Sequence, residues 1–228
     1  MSPGRRDMEQ RPRGCDAQPF AGGLAARLVC VALLTSVEAA QAFTVAITPA
    51  APKTIFLQIG VGSFTGFYNA GGTPQNNATI NRESVAVAAA AVGNGAAQAM
   101  TTDSTQTHSF YDNFVFCSVP AQLYIGGFYR TTGAGAGTAN VTATVPVALT
   151  DGAGDTIPFS QISWTSSGNG DGASQPFPAG SFTGTTVTVG SIAQNQWAES
   201  CWTFSYKNTV LPPAGTYTGR VLYTLTVP

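Results

Sequence analysis

The stretch Gly215-Thr216-Tyr217-Thr218-Gly219-Arg220-Val221-Leu222-Tyr223-Thr224-Leu225-Thr226-Val227 decides the fold. From Thr216 to Val227 it reads as one strand. Tyr217, Val221, Tyr223, Leu225 and Val227 fall on one face, and Thr218, Arg220, Thr224 and Thr226 on the other. That is the period-two alternation of a sheet buried on one side. The segment Pro212-Pro213-Ala214-Gly215 ahead of it is a turn.

Working back from this strand, almost every segment reads the same way. Ser200 to Tyr206 puts Trp202, Phe204 and Tyr206 on one face, with Cys201 in the opposite phase. Either the aromatic face points outward and is sticky, or a bulge or end-of-strand geometry lets both point inward, and the expectation is an inter-sheet disulfide with Trp202 beside it. Further strands are expected over 182–189, 157–164, 138–149, 122–129 and 113–119, the last carrying Cys117 and stopping at Pro120. Pro146 marks an edge position or a bulge within 138–149. Residues 83–92 favour a strand over a helix, because Val85, Val87 and the flanking glycines outweigh the alanines. Residues 54–59 form a short apolar run, and 60–77 and 93–108 read as loops, the second with room for a short helix. Phe43-Thr44-Val45-Ala46-Ile47-Thr48 alternates strictly until Pro49 and Pro52 end it. This many short strands without a useful amphipathic helix indicate an all-β fold, an antiparallel sandwich with Ig-like topology.

The first forty-two residues read as a cleavable signal peptide, leaving a single domain over 43–228. Arg5, Arg6, Arg11, Arg13 and Arg27 make a basic front, Leu28 to Leu34 an apolar core, and Ala40-Gln41-Ala42 an A-x-A cleavage signal. Met1 and Met8 are both candidate starts. The apolar run is too short to span a bilayer. The chain is therefore expected to be exported, to the periplasm, the cell surface or the medium.

Past the leader the chain keeps five basic residues, Lys53, Arg82, Arg130, Lys207 and Arg220. It keeps seven acidic ones, Glu83, Asp103, Asp112, Asp151, Asp155, Asp171 and Glu199. So few cations argue against a nucleic-acid partner and against a polybasic membrane site. Of the four cysteines, Cys15 and Cys30 leave with the leader, and Cys117 and Cys201 are expected to pair. The pair closes a loop of roughly 85 residues, worth about 4–5 kcal/mol by chain entropy.

Nothing in the sequence assembles a catalytic set, a metal centre or a cofactor site, and none is expected. His108 is the single histidine, and Ser109, Tyr111 and Asp112 beside it are only sequence neighbours. Asp151-Gly152-Ala153-Gly154-Asp155 and Asn169-Gly170-Asp171-Gly172 space oxygen ligands as calcium loops do, but without a bidentate Glu they read as turns. Trp164, Trp197 and Trp202 are expected mostly in the core, with Trp197 in an exposed polar context.

The Pro/Gly turn, the Gly215-Thr216-Tyr217 entry and the alternating strand to the chain end resemble spore-coat-U-like pilins of the archaic chaperone–usher systems. The resemblance covers this tail, the export signal and the general strand plan. The chain departs from that family in having no cysteine near the expected mature N-terminus. The resemblance implies a non-enzymatic fimbrial or adhesive surface subunit whose fold is completed by a neighbour's strand. Its partners would be like subunits or a periplasmic chaperone, and main-chain pairing would carry the affinity. Phe43, Val45 and Ile47 are then the candidate donor strand, against their simpler use as the domain's own first strand. The alternative is a monomeric secreted carbohydrate-binding module.

Overall fold

The computed structural model describes residues 41–47, 54–60, 81–132, 137–172 and 174–227, the first span by its backbone alone. The chain divides into two compact units, Met1–Val37 and Glu38–Pro228, and the described residues belong to the second. The expected leader lies outside the described residues up to position 40.

In chain order the strands are β1 (Gln41–Ile47), β2 (Ile55–Ile59), β3 (Glu83–Ala88), β4 (Gln98–Ala99) and β5 (Thr101–Thr102). They continue with β6 (Leu123–Tyr129), β7 (Thr138–Thr144), β8 (Ala148–Thr150), β9 (Thr156–Pro158) and β10 (Ile162–Ser167). The last are β11 (Gly180–Ser181), β12 (Thr186–Ala193), β13 (Gln196–Tyr206), β14 (Gly215–Gly219) and β15 (Leu222–Thr226). The helical pieces among the described residues are the 3-10 turns Ala89–Ala91 and Phe159–Gln161.

The fold is all-β with antiparallel sheets. One sheet runs β11-β10-β13-β6-β2, with β4 added alongside β13. A second runs β5-β3-β1-β14-β8-β9, and a third β12-β7-β15. The second and third share chain segments. β14 passes into β15 at Arg220–Val221, and β7 passes into β8 across Pro146, which has no N–H to give a ladder. Side chains from all three sheets meet in one core, including Ile125, Trp202 and Phe204, Val141 and Ala143, and Leu149 and Tyr217. Two pairings depart from the antiparallel plan: β1 with β14 and β2 with β6 are parallel.

The deciding stretch keeps its phase but not its continuity. Tyr217 and Val221 are buried and Tyr223 and Leu225 half-buried, while Val227 and Leu222 are exposed. The strand expected over 216–227 is two strands in different sheets. The one expected over 157–164 is likewise β9, a 3-10 turn and β10, because Pro158 stops the ladder. Residues 182–189 give their first half to a loop that buries Phe182, and β12 starts at Thr186. Residues 113–119 are not a strand. Asn113 takes a left-handed conformation (φ 64°), and the Asp112 carboxylate accepts from the Phe114 N–H, so the segment turns back on itself. Glu83–Ala88 is a strand as expected, followed by a turn of alanines.

Candidate functional site

β1, the segment carrying Phe43, Val45 and Ile47, lies between β3 and β14. On one side it runs antiparallel to β3, with Val45 opposite Val85 and Ala46 opposite Ser84. On the other it runs parallel to β14, from Phe43 opposite Gly215 to Ile47 opposite Gly219. In the sheet path β1 is the link that joins β5-β3 to β14-β8-β9. Withdrawing it would open a slot one strand wide with unpaired backbone on both walls. Such edges are templates for another strand.

A second buried cluster, on the side of β6 and β13 away from the main core, is built around the disulfide. Cys117 and Cys201 are bonded, with Cα atoms 5.5 Å apart and both residues buried. The expected inter-sheet geometry beside Trp202 is not what forms. Cys201 follows strict alternation and points away from Trp202, which is fully buried in the main core. With Phe116, Cys117 and Tyr124 it makes a second cluster, against which Phe56 and Phe110 pack. The bridge thus ties the loop after β5 down onto the outer face of β6 and β13. The aromatic face of β13 points inward, and the opposite face is covered by a loop.

A carboxylate organises this covered face. Trp197, Glu199 and Cys201 share a side of β13. Glu199 accepts from the Ser109 hydroxyl at 2.7 Å, the Tyr124 phenol at 2.6 Å and the Trp197 indole N–H at 2.9 Å. Burial, and after it the adjacent Glu199 charge, holds the Tyr124 phenol protonated well above its usual range. Gly126 makes room for this phenol, since a Cβ there would stand 2.6 Å from its oxygen. Trp197 stacks on Phe128 at 6.1 Å and meets Phe56 at 5.4 Å, so it is half-buried, not exposed. Trp164 and Trp202 are in the core. The loop that Glu199 and the disulfide anchor turns outward at Phe114 and Val115, which are 73% and 60% exposed.

Glu199→Gln is expected to keep an oxygen for Tyr124 and Trp197 but turn an NH2 toward Ser109. That hydroxyl already accepts from the N–H groups of Tyr111 and Asp112. A loss of about 1–2 kcal/mol in urea unfolding, with a shift in tryptophan emission, is the expected result.

The remaining singled-out residues are placed apart. His108 Nδ1 pairs with the Thr107 hydroxyl at 2.7 Å, whereas the Ser109 hydroxyl turns to Glu199, so His108, Ser109 and Asp112 form no relay. Asp151 Oδ1 accepts from the N–H groups of Ala153 and Asp155, which makes the 151–155 segment a side-chain-capped turn. Asn169 donates to the Val115 carbonyl at 2.7 Å and braces the pinned loop.

No family model, curated protein or solved structure matches this chain. The functional reading therefore stands on the chain's own geometry. Sequence reasoning had singled out β1 and the cysteines but missed Glu199 and Glu83. The available signal for both was phase: Glu199 lies between Trp197 and Cys201, and Glu83 shares a side with Val85 and Val87.

Proposed function

We propose that this chain is a structural or adhesive surface subunit that associates with like subunits by exchanging β1. The observation that carries the reading is the place of β1 in its sheet, bonded to both neighbours and parallel to β14. A strand at a sheet edge can leave at the loss of one ladder. A strand in the middle leaves a slot that an identical strand from another copy fills with the same main-chain bonds. On the expected cleavage after Ala42, the Phe43–Ile47 part of β1 follows a free N-terminus and is joined to the rest of the domain at its C-terminal end alone, so it can leave without unthreading anything. Export to an oxidising compartment fits the disulfide. The small number of charges past the leader leaves little repulsion between copies.

Light scattering on the purified domain over time and concentration tests this. Slow, concentration-dependent growth is expected, and a chain with residues 41–47 deleted, having no strand to donate, should not show it by itself. A monomer at every concentration, or a glycan-binding monomer whose β1 amides exchange no faster than those of β6, would contradict the reading.

A further inference from the structure

Glu83 opens β3 on the same side as Val85 and Val87, and it is 3% exposed. Among the described residues it is the one side chain of a charged type that is buried. Asn81 Nδ2 donates to its carboxyl at 3.0 Å, and the Thr102 side chain bonds it from β5, where Thr102 is its register partner. The charged and titratable groups that act on it among the described residues offer no compensation. Asp103 follows Thr102 and carries the same sign, and the Tyr223 phenol of β15 lies within its field. Arg82 is exposed and meets Asp103 through its backbone N–H at 2.8 Å. The β1 sequence, Gln41 to Ile47, holds no ionisable residue.

An ionised carboxylate in this position is buried, near a like charge and, among the described residues, without a cation. Burial, only partly opposed by the Thr102 and Asn81 hydrogen bonds, pushes the Glu83 pKa up to about 8. At neutral pH the carboxyl therefore holds its proton. The Asn81 amide oxygen is buried with no partner among the described residues, and turned over it would accept that proton. The next residue, Ser84, pairs with Ala46 of β1 and, on its other side, with Thr101 of β5. Glu83 thus sits where β5, β3 and the end of β1 are held together.

We propose that Glu83 is a proton-dependent latch on β1: neutral, it keeps the β5-β3-β1 corner closed, and ionised, it loosens that corner and releases the strand. Its use in assembly rests on the strand-exchange reading, but its operation does not.

The sign follows from linkage. The closed state binds a proton that the open state gives up above its ordinary carboxyl value, so closure is firmest below about 4.5 and weakens as pH rises to about 8. Hydrogen exchange of the peptide over 41–47, corrected for intrinsic rate and read from pH 5 to pH 9, tests this. Protection should fall by up to about tenfold per pH unit toward pH 8 and then level off. In Glu83→Gln the profile should be flat. In Asp103→Asn, which removes the like charge, the levelling should come at a lower pH. Profiles alike in wild type and Glu83→Gln, protection that rises with pH, or no shift in Asp103→Asn would overturn the latch. Light scattering on the same samples separates the two proposals. Protection that tracks pH without any oligomer growth keeps the latch and defeats strand exchange, and growth with a flat profile does the reverse.

Discussion

Replacing Cys117 and Cys201 together by serine is expected to lower stability by about 4–5 kcal/mol and the melting temperature by roughly 10–20 °C. The bridge spans 84 residues, and opening it returns that loop's freedom to the unfolded chain. The native state loses something specific as well. The loop after β5 is held to β13 by the disulfide and by Ser109 on Glu199, with Asn169 as a brace. Without the bridge, hydrogen bonds and ring packing alone must keep Phe110 and Phe116 over Tyr124. Trp197, which touches Tyr111 in that loop, should report the loosening by red-shifted emission before the main melt. Trp202 in the main core should not. Calorimetry combined with fluorescence checks this, and a single coincident transition shifted by less than about 5 °C would contradict the assigned role.

Gly127→Ala should also be strongly damaging, for a different reason. A Cβ at this position would stand 2.1 Å from the Leu57 carbonyl oxygen, an atom of the β2 backbone paired alongside. Backbone in a ladder cannot rotate out of the way, so β2 must separate from β6. Overpacking costs typically about 1–3 kcal/mol, here about 3 because the obstacle is backbone, and the variant is expected to accumulate poorly and to melt roughly 6–12 °C lower, at roughly 2–4 °C per kcal/mol. Gly126→Ala next to it should be milder, since the obstacle there is the end of the Tyr124 side chain. Gly152→Ala, with nothing within 4 Å, is the neutral control. Equal midpoints for Gly127→Ala and Gly152→Ala in guanidinium would mean that β2 is not held against β6 as described.

Much of this architecture could be read from alternation, and its failures have causes. The inward phase of Tyr217, Val221, Tyr223 and Leu225 survives a break between two sheets, because the break at Arg220–Val221 keeps the parity. The opposed phases of Cys201 and Trp202 were real, and the error lay in forcing both into one core. A sheet covered on both sides has two buried faces, as β6 shows with every residue from Leu123 to Tyr129 buried. Alternation carries no information there about which face is which. Residues 113–119 look like a strand by composition, but the Asp112 and Asn113 turn overrides propensity. The parallel seat of β1 was beyond reach, since its alternation fits an edge, a central strand or a donor equally well. Glu199 and Glu83 were passed over because isolated acids suggest surface turns. Only their phase, shared with Trp197 and Cys201 in one case and Val87 in the other, places Glu199 under the covering loop and Glu83 in the interior.

The central claim is that β1 is a separable strand whose slot accepts an identical strand from outside. Titrating a synthetic peptide of Gln41–Ile47 into a chain that begins at residue 48, followed by calorimetric unfolding, tests it most directly. The predicted result is a chain without a cooperative melt alone, restored to one sharp transition at one peptide per chain. A chain from residue 48 that melts as the full domain does and ignores the peptide would contradict it.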